Sequence, residues 1–383
     1  MRDVEDTAST GTHHAAGVRI GVDVREWRSG TSTGIARVLS SFLEWATQNT
    51  EHEFLLLGNQ HTEFRVTSER VDARIVHETS RLVWDQLTLP RLLGKTGTEV
   101  FLSPYYKGPL VCPCPVVVTA NDLIDLHFPR GGIVGRRLLP LWMRMMLHSA
   151  SHVLTLSEHS RQDIAVTLRV DASRITAVPL AVDDRFRCRP SAQETRSVRE
   201  RYSLPDRYVL YVGRCSPHKN VITLVRAWSK LPADFRQRYA LVLAGGDVSL
   251  FRRAADAHSV DAIIPGFVQD ADLPGIYAGA TILGFPSLYE GFGLPPLEAM
   301  SCGIPVIASN ATAIPEVVGN AAKLVDPLDV SAWTKALVDL LESDEALRQL
   351  AAAGVARAAL FTEERTAAVM LEVLVGAARR GTP

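Results

Sequence analysis

The sequence predicts two doubly wound α/β domains that face a common cleft. Short apolar runs alternate with segments of helical spacing, and their nearly continuous hydrophobicity is typical of strands buried on both faces of a parallel sheet. The alternation breaks at residues 187–200, a stretch rich in arginine and polar residues, and restarts after it. A length of 383 residues also suits two hydrophobic cores better than one.

These patterns divide the chain into five segments. Residues 1–17 are polar and are predicted to be a disordered tail, because they lack the apolar centre of a signal peptide. Residues 18–186 form the first domain, 187–200 a linker, 201–360 the second domain and 361–383 a C-terminal helical segment.

The composition excludes several classes of protein. Hydrophobic residues make up 46% and charged residues 22% of the chain, which is typical of a globular enzyme. The 41 basic and 42 acidic residues give a net charge of −1, which argues against nucleic-acid binding. The 5 cysteines are scattered and are predicted to be reduced thiols. No apolar run reaches the roughly 18 residues of a membrane span, so we predict a cytoplasmic protein.

The elements of each domain follow from the apolar runs and the helical spacing. In the first domain, strands are predicted at Arg19–Arg25, Glu53–Gly58, Ala73–His77, Glu99–Ser103, Pro115–Ala120 and His152–Leu156, with helices at Ile35–Ala46 and Val134–Ala150. In the second domain, strands are predicted at Tyr208–Val212, Ala240–Ala244, Ala262–Ile264, Thr281–Leu288, Pro305–Ala308 and Ala322–Val325, with helices at Val221–Leu231 and Val330–Leu341.

Ligands of doubly wound sheets bind beyond the carboxyl ends of the strands, and three segments of the first domain lie there. The loop Ser29–Gly34 either lets the backbone approach a phosphate or only connects a strand to a helix. Asn121 and Asp122 follow the fifth strand, where they either contact a substrate or form an ordinary turn. Ser157 precedes a helix and is predicted only to cap it.

The predicted helix Val134–Ala150 carries basic side chains among leucines, methionines and a tryptophan. The basic residues are Arg136, Arg137, Arg144 and His148. Such a helix either lies on an anionic membrane surface or is a buried helix with solvated arginines, and the second arrangement is the commoner one.

In the second domain, Arg214 and Lys219 lie in the turn after the first strand, at the edge that faces the cleft. An arginine fork and a lysine point charge suit a diphosphate. His218 is predicted to be a solvated loop residue. Asp270 and Asp272 have the spacing of a metal-binding pair, but they are predicted to cap the helix that follows, and nothing else in the sequence argues for a metal.

The stretch 281–310 carries the clearest chemical pattern. A strand-like run leads to Glu290, a turn with two glycines follows, and two prolines suit the first turn of a helix that holds Glu298. Helix N-termini bind anions through free N–H groups, which here belong to Gly291, Phe292, Gly293 and Leu294. From the residues alone, the two glutamates could be an acid pair beside an anion site.

These patterns resemble a known family. The stretches Glu290–Glu298 and Tyr211–Asn220 resemble the retaining nucleotide-sugar glycosyltransferases of family 4, which have the GT-B fold of two Rossmann-like domains. The segment Phe361–Ala367 is similar to the start of that family's last helix, which crosses back onto the first domain. Four stretches of the first domain are similar to the bacterial mannosyltransferase branch: Val22–Trp27, Ser29–Arg37, Val153–Ile164 and Val178–Phe186.

The resemblance implies hydroxyl-binding roles for the two glutamates. Glu298 would bind the ribose hydroxyls of the nucleotide, and Glu290 would hold hydroxyls of the donor sugar. The N–H groups of the turn after Glu290 would assist, namely those of Gly291, Phe292, Gly293 and Leu294. This assignment replaces the acid pair as our expectation.

The resemblance also implies a site for the diphosphate and the base. Arg214 and Lys219 would neutralise the diphosphate as it leaves, and Gly34 would offer its backbone to the same group. The base would lie near Phe267 and Val268. The family needs no metal, and no cofactor is expected beside the nucleotide-sugar substrate.

Asn121 departs from the pattern of the family, which usually has His-Asp where this chain has Asn121–Asp122. An asparagine hydrogen-bonds a sugar hydroxyl but carries no charge. The contact to the 6-position of the donor sugar is therefore expected to differ, and Asn121 and Asp122 are kept as candidate catalytic residues.

The sequence therefore predicts a metal-independent, retaining hexosyltransferase that moves mannose from GDP-mannose to a glycan or a lipid-linked glycan. Weak peripheral contact with the inner face of the membrane is a further expectation. The alternatives are a sugar-nucleotide epimerase of the same fold and a catalytically silent sugar-nucleotide-binding protein. The spacing of Glu290 and Glu298 argues against the epimerase, and the joint presence of these glutamates with Arg214 and Lys219 argues against the silent protein.

Overall fold

A computed structural model describes residues 17–28, 34–78, 80–129 and 133–381, and only the backbone of residues 133–136. The predicted tail up to residue 16, the loop residues 29–33 and the side chain of Arg136 therefore lie outside the described residues.

The first domain is built on a seven-stranded parallel sheet with the strand order β3-β2-β1-β4-β5-β6-β7. The strands are β1 (Arg19–Asp23), β2 (Glu53–Gly58), β3 (Val71–Ile75), β4 (Val100–Ser103), β5 (Val116–Thr119), β6 (His152–Thr155) and β7 (Ile175–Ala177). The helices are α1 (Gly34–Asn49), α2 (Arg81–Val83), α3 (Leu89–Lys95), α4 (Ile124–His127), α5 (Ile133–Ser149), α6 (Glu158–Leu168) and α7 (Asp184–Arg187), with a π-helical turn at Trp84–Thr88 and a 3-10 turn at Ala172–Arg174.

The second domain is built on a six-stranded parallel sheet with the order β10-β9-β8-β11-β12-β13. The strands are β8 (Tyr208–Val212), β9 (Ala240–Ala244), β10 (Ala262–Gly266), β11 (Ile282–Phe285), β12 (Val306–Ser309) and β13 (Lys323–Val325). The helices are α8 (Ala192–Arg201), α9 (Val221–Ser229), α10 (Ala233–Arg238), α11 (Val248–Asp256), α12 (Leu273–Gly279), α13 (Leu294–Ser301), α14 (Ile314–Val318), α15 (Val330–Leu341) and α16 (Asp344–Ala358), with a 3-10 turn at Pro217–Lys219. The helix α17 (Glu363–Arg380) follows the second domain in the chain.

The predicted fold class is confirmed, since both sheets are parallel and carry helices. Apolar side chains form one cluster in the second domain and two in the first, which is the arrangement expected when strands are buried on both faces. The strand β7 was not predicted, because three residues are too few for a clear apolar run.

The last helix, α17, packs against the first domain. Met370 and Leu374 are buried with Phe42 of α1 in one cluster, and the Thr366 hydroxyl donates to the carbonyl of Pro179 at 2.7 Å. The chain thus leaves the second domain and completes a core of the first.

The segment 187–200, which is predicted as a linker, is largely helical. Ser191 and Glu194 form a capping box at the start of α8. Val198, buried at 9% exposure, packs beside Gly275 of α12, where an added Cβ would approach it to 2.8 Å. The helix was not predicted because one apolar anchor among arginines gives no helical periodicity.

The helix α5 combines the two arrangements that its sequence allows. Met143 and Met146 lie in the core of the first domain. Its other face is exposed and carries Leu138, Leu141 and Met145 beside Arg137, Arg144 and His148. In the described part of the chain, no helix has the length and apolar character to span a membrane.

Candidate active site

The strand, turn and helix predicted around Glu290 are present. The strand β11 ends at Phe285, and α13 begins after Gly293. Gly293 has φ of +117°, a left-handed conformation that glycine adopts without a steric penalty. The prolines that follow it occupy the first turn of α13, where a missing N–H costs little. The turn therefore leaves backbone N–H groups available at the carboxyl edge of the sheet.

Glu290 and Lys219 form a buried ion pair at this edge. The Lys219 ammonium lies 2.7 Å from Oε1 and 2.9 Å from Oε2 of Glu290, and the two side chains are 17% and 8% exposed. The Glu290 N–H donates to the Thr312 hydroxyl at 3.0 Å, and the ammonium also lies 5.3 Å from the centre of the Phe285 ring. Contacts on three sides fix the position of this pair.

Arg214 does not join the buried pair. Its side chain is 73% exposed, and its Nε lies 3.8 Å from Oδ2 of Asp247. The two cations therefore differ, because Lys219 is held by Glu290 and largely shielded from water while Arg214 is exposed to solvent.

Asp122 of the first domain lies against the Glu290 turn. A Cβ added at Gly291 would come within 2.7 Å of Oδ2 of Asp122, so this approach between the domains requires glycine. Burial raises the pKa of Asp122, and the charge of Glu290 adds to the rise while Lys219 opposes it. The predicted residues Asp122, Glu290 and Lys219 therefore form one electrostatic cluster across the cleft.

Glu298 lies on α13, where the Tyr277 hydroxyl donates to its Oε2 at 2.8 Å. Burial raises its pKa, and the hydrogen bond from Tyr277 and the charges of Arg37 and Arg185 oppose that rise. Glu298 lines a cavity of about 70 Å³ together with Gly34 and Leu294. A larger cavity of about 330 Å³ joins Gly34 and Leu294 to Asn121 of the first domain.

The remaining predicted residues differ in what they can contact. Phe267 is 69% exposed and is free to stack on a planar ligand. Val268 is buried in the core of the second domain, so only its backbone is available to a ligand. Phe292 is likewise buried, with its ring 5.8 Å from that of Phe361.

Two interpretations from the sequence are corrected here. His218 is 5% exposed and lies 5.6 Å from the Phe128 ring, so it is not a solvated loop residue. Asp272 does not cap α12, because its carboxylate accepts hydrogen bonds from Arg201 at 2.6 Å and Tyr202 at 2.9 Å. Among the described residues, no group of three or more histidines, cysteines or acids is arranged to hold a metal ion.

Tyr289 is a site residue that sequence reasoning missed. Its hydroxyl donates to Oδ2 of Asp163 at 2.5 Å and accepts from the N–H of Leu123 at 3.2 Å. His127 contacts the same Asp163 oxygen at 2.8 Å. Burial works against the Asp163 charge, but hydrogen bonds from Tyr289, His127 and Thr167 hold its pKa below the ordinary value. One hydroxyl therefore joins the Glu290 turn to the Asn121–Asp122 loop.

Glu316 makes a second contact between the domains. Its carboxylate accepts from the N–H of Glu158 at 2.8 Å and of His159 at 3.2 Å, at the positive end of α6. Ser157 caps that helix as predicted. The Ser160 hydroxyl also donates to the carbonyl of Gly291 at 3.3 Å, so the first turn of α6 contacts the second domain. This contact was not predictable from the sequence, since Glu316 lies 158 residues from Glu158.

Comparisons with known proteins show which families and proteins parts of the chain are similar to. Residues 193–357 match the family described as glycosyl transferases group 1. The O-antigen chain mannosyltransferase B of Escherichia coli is 40% identical over 227 residues, which cover 57% of this chain and 58% of that protein. The serotype-specific mannosyltransferase WbdA of Escherichia coli is 33% identical over 270 residues, covering 68% of this chain and 33% of that protein. The chain thus spans less than two thirds of the length of either relative.

Among solved structures, WaaG, a glycosyltransferase involved in lipopolysaccharide biosynthesis, superposes with a TM-score of 0.72 at 16% identity. The match covers 93% of this chain and 100% of WaaG. The predicted GT-B fold is confirmed by this likeness.

Proposed function

From the group 1 glycosyl transferase domain that the chain carries at residues 193–357, we propose that the protein is a retaining mannosyltransferase. It transfers mannose from GDP-mannose to a hydroxyl of a glycan or a lipid-linked glycan. The observation that carries the proposal is the buried Lys219–Glu290 pair, which lies against Asp122 of the opposite domain at the carboxyl edges of two parallel sheets. The similarity to two mannosyltransferases supports mannose as the sugar, and it gives no support to the epimerase or to the silent binding protein.

Each site residue has a role in this reaction. Negative charge develops on the diphosphate as its bond to the sugar breaks, and the fixed ammonium of Lys219 stabilises that charge. Arg214 adds an exposed cation at the cleft edge. Glu290 accepts hydrogen bonds from the donor sugar, and Glu298 from the ribose. Asn121 contacts the sugar from the first domain.

Backbone groups and one ring complete the donor site. The N–H groups at the start of α13 and at Gly34 bind the donor through hydrogen bonds. Phe267 stacks on the base, and the backbone of Val268 borders it. We propose that no metal is needed, because the side chains of Lys219 and Arg214 supply the positive charge that the leaving group requires.

The proposal is tested by incubating the protein with GDP-mannose or UDP-glucose and methyl α-mannoside, with and without EDTA. We expect release of GDP, insensitivity to EDTA, and an α-linked product by proton NMR. Absence of nucleotide release with either donor would contradict the transferase. A changed donor sugar without release would favour the epimerase. A β-linked product would contradict retention, and loss of activity in EDTA would contradict metal independence.

We further propose weak contact between α5 and anionic membrane lipids. The exposed face places Leu138, Leu141 and Met145 beside three basic residues, a combination that suits the boundary between head groups and acyl chains. The protein is expected to sediment with phosphatidylglycerol vesicles more than with phosphatidylcholine vesicles, and Leu141→Ser is expected to reduce the difference. Equal sedimentation with both vesicles would contradict the contact.

A Tyr289→Phe variant is expected to lower kcat about tenfold, because losing one hydroxyl that joins two loops removes roughly 1–2 kcal/mol of positioning. The ring contacts are retained, including that with His127 at 4.9 Å between ring centres. Tyr239→Phe is the matched control, since it removes a buried hydroxyl that bonds only the Leu341 carbonyl in the second domain. Equal kcat for the two variants would mean that the Tyr289 hydroxyl has no positioning role.

A further inference from the structure

A second cavity opens beside the donor site, in the first domain. It has a volume of about 150 Å³ and lies where β4 and β5 end. Two tyrosines and two aspartates line it, and these are Tyr105, Tyr106, Asp122 and Asp125. Asp122 also lies against Gly291, so one residue borders both the cavity and the turn after Glu290.

The cavity has an unsatisfied polar group. The hydroxyl oxygen of Tyr105 is buried and has no hydrogen-bond partner among the described residues. Buried hydroxyls nearly always have a partner in folded proteins, so a donor or acceptor of a ligand is expected to supply it. Tyrosine side chains also offer an apolar ring together with a polar tip, which suits ligands with both kinds of surface.

The charge of the cavity is negative. Asp122 and Asp125 are the only charged residues among the described ones that line it. Burial raises the pKa of the Tyr106 hydroxyl, and the charges of Asp125 and Asp122 raise it further, so Tyr106 is a neutral donor at pH 7.

Two cations of the described residues lie near the cavity, and neither forms an ion pair with its aspartates. Lys219 acts on Asp122 but is already held by both carboxylate oxygens of Glu290. The Lys107 ammonium lies over the Tyr105 ring, 5.7 Å from its centre. Within the part of the chain that the structure describes, a ligand in the cavity therefore meets two aspartates that have no ion-pair partner.

We propose that this cavity is the acceptor subsite and that it selects an uncharged sugar over a phosphorylated or carboxylated one. The inference rests on the proposed transferase function. Carboxylates accept hydrogen bonds from sugar hydroxyls, whereas an anionic acceptor would be repelled by the like charges of Asp122 and Asp125, the charged residues of the described part of the chain that line the cavity. A hydroxyl bound at Asp122 would also lie next to the turn that holds the donor sugar.

The kinetic test compares methyl α-mannoside with mannose 6-phosphate as acceptors, with GDP-mannose as donor. In the wild-type protein, kcat/KM is expected to be at least about tenfold higher for the neutral acceptor, which corresponds to 1.4 kcal/mol. Asp125→Lys is expected to lower the KM of mannose 6-phosphate, and thereby to reduce the ratio of the two kcat/KM values at least threefold. Asp125 is exposed, so this substitution leaves the core intact. Glu69→Gln is the control, because it removes an exposed carboxylate of the same domain outside the cavity and should leave the ratio unchanged.

A binding measurement separates failure of the inference from failure of the transferase. Saturation-transfer NMR on the full chain is expected to show binding of methyl α-mannoside, weaker binding of mannose 6-phosphate, and loss of the methyl α-mannoside signal in Tyr106→Ala. If this binding pattern were observed but no GDP were released, the sugar-binding site would be supported and the transferase function would be contradicted. The selectivity would be overturned if the protein used or bound the two sugars equally. It would also be overturned if the ratio of their kcat/KM values were unchanged in Asp125→Lys. In either case, release of GDP would still support the transferase.

Discussion

A Lys219→Met variant is expected to lose at least about 100-fold in kcat, with a smaller change in the KM of the donor, because removing one preorganised group that stabilises developing charge costs about 10²–10³ in rate. Lys219 is suited to that role because its ammonium is 17% exposed and fixed by two contacts with Glu290. Its position is set before the reaction, so no reorganisation is required when the diphosphate leaves.

The variant has a structural effect that must be separated from the catalytic one. Without Lys219, the Glu290 carboxylate is buried and uncompensated, which costs about 3–5 kcal/mol of folding stability. The double variant Lys219→Met with Glu290→Gln removes both charges, so it is expected to recover most of the lost Tm while kcat stays low. If kcat recovered together with Tm, the ammonium would have only a structural role.

Arg214→Ala provides the comparison for Lys219. Its guanidinium is 73% exposed, so solvent screens its attraction to the diphosphate and the loss in kcat is expected to be about tenfold. A loss as large as that of Lys219→Met would indicate that the cleft closes over Arg214 during turnover.

A Glu298→Gln variant is expected to bind GDP about 10–100-fold more weakly, because hydrogen bonds to a charged group contribute about 1.5–3 kcal/mol. Glutamine keeps the shape of the side chain and can still accept from Tyr277, so the loss reports on the ribose contact. Isothermal titration with 2′,3′-dideoxy-GDP is the control, since wild type and variant should bind this analogue equally. A variant that bound GDP as tightly as wild type would place the ribose elsewhere.

The same substitution is expected to raise the Tm of the ligand-free protein at pH 7. The folded-state pKa of Glu298 lies above its unfolded value, so the folded protein holds more protons between these two values. Stability from this group therefore falls as pH rises through that window, and the penalty is largest above the folded-state pKa. The gain from glutamine should vanish below about pH 4, where the unfolded carboxyl is also protonated. An equal gain at both pH values would mean that burial of the charge is not its cause.

The sequence allowed prediction of features that depend on local patterns. The parallel strands follow from continuous apolar runs, and the turn before Glu298 follows from its glycines and prolines. The meeting of Glu290 and Lys219 is consistent with topology, since both lie at the carboxyl edge of one sheet.

Features that depend on contacts between distant segments were not predictable in this way. His218 is polar and lies in a turn, yet the first domain covers it through Phe128. Asp272 precedes a helix, yet its carboxylate accepts a hydrogen bond from Arg201 instead of capping that helix. Tyr289 and Glu316 act across the cleft, and their partners are more than 100 residues away, where a single sequence carries no pairing signal.

The packing of α17 has a consequence for synthesis of the chain. Met370 and Leu374 fill a core that otherwise consists of residues from the first domain, and residues 363–380 are made long after that domain has left the ribosome. A nascent chain that lacks α17 exposes apolar surface on α1 for the whole time in which the second domain is translated, which is seconds to tens of seconds at about 5–20 residues per second. The first domain, although it is translated first, therefore completes its core only after the second domain has been made.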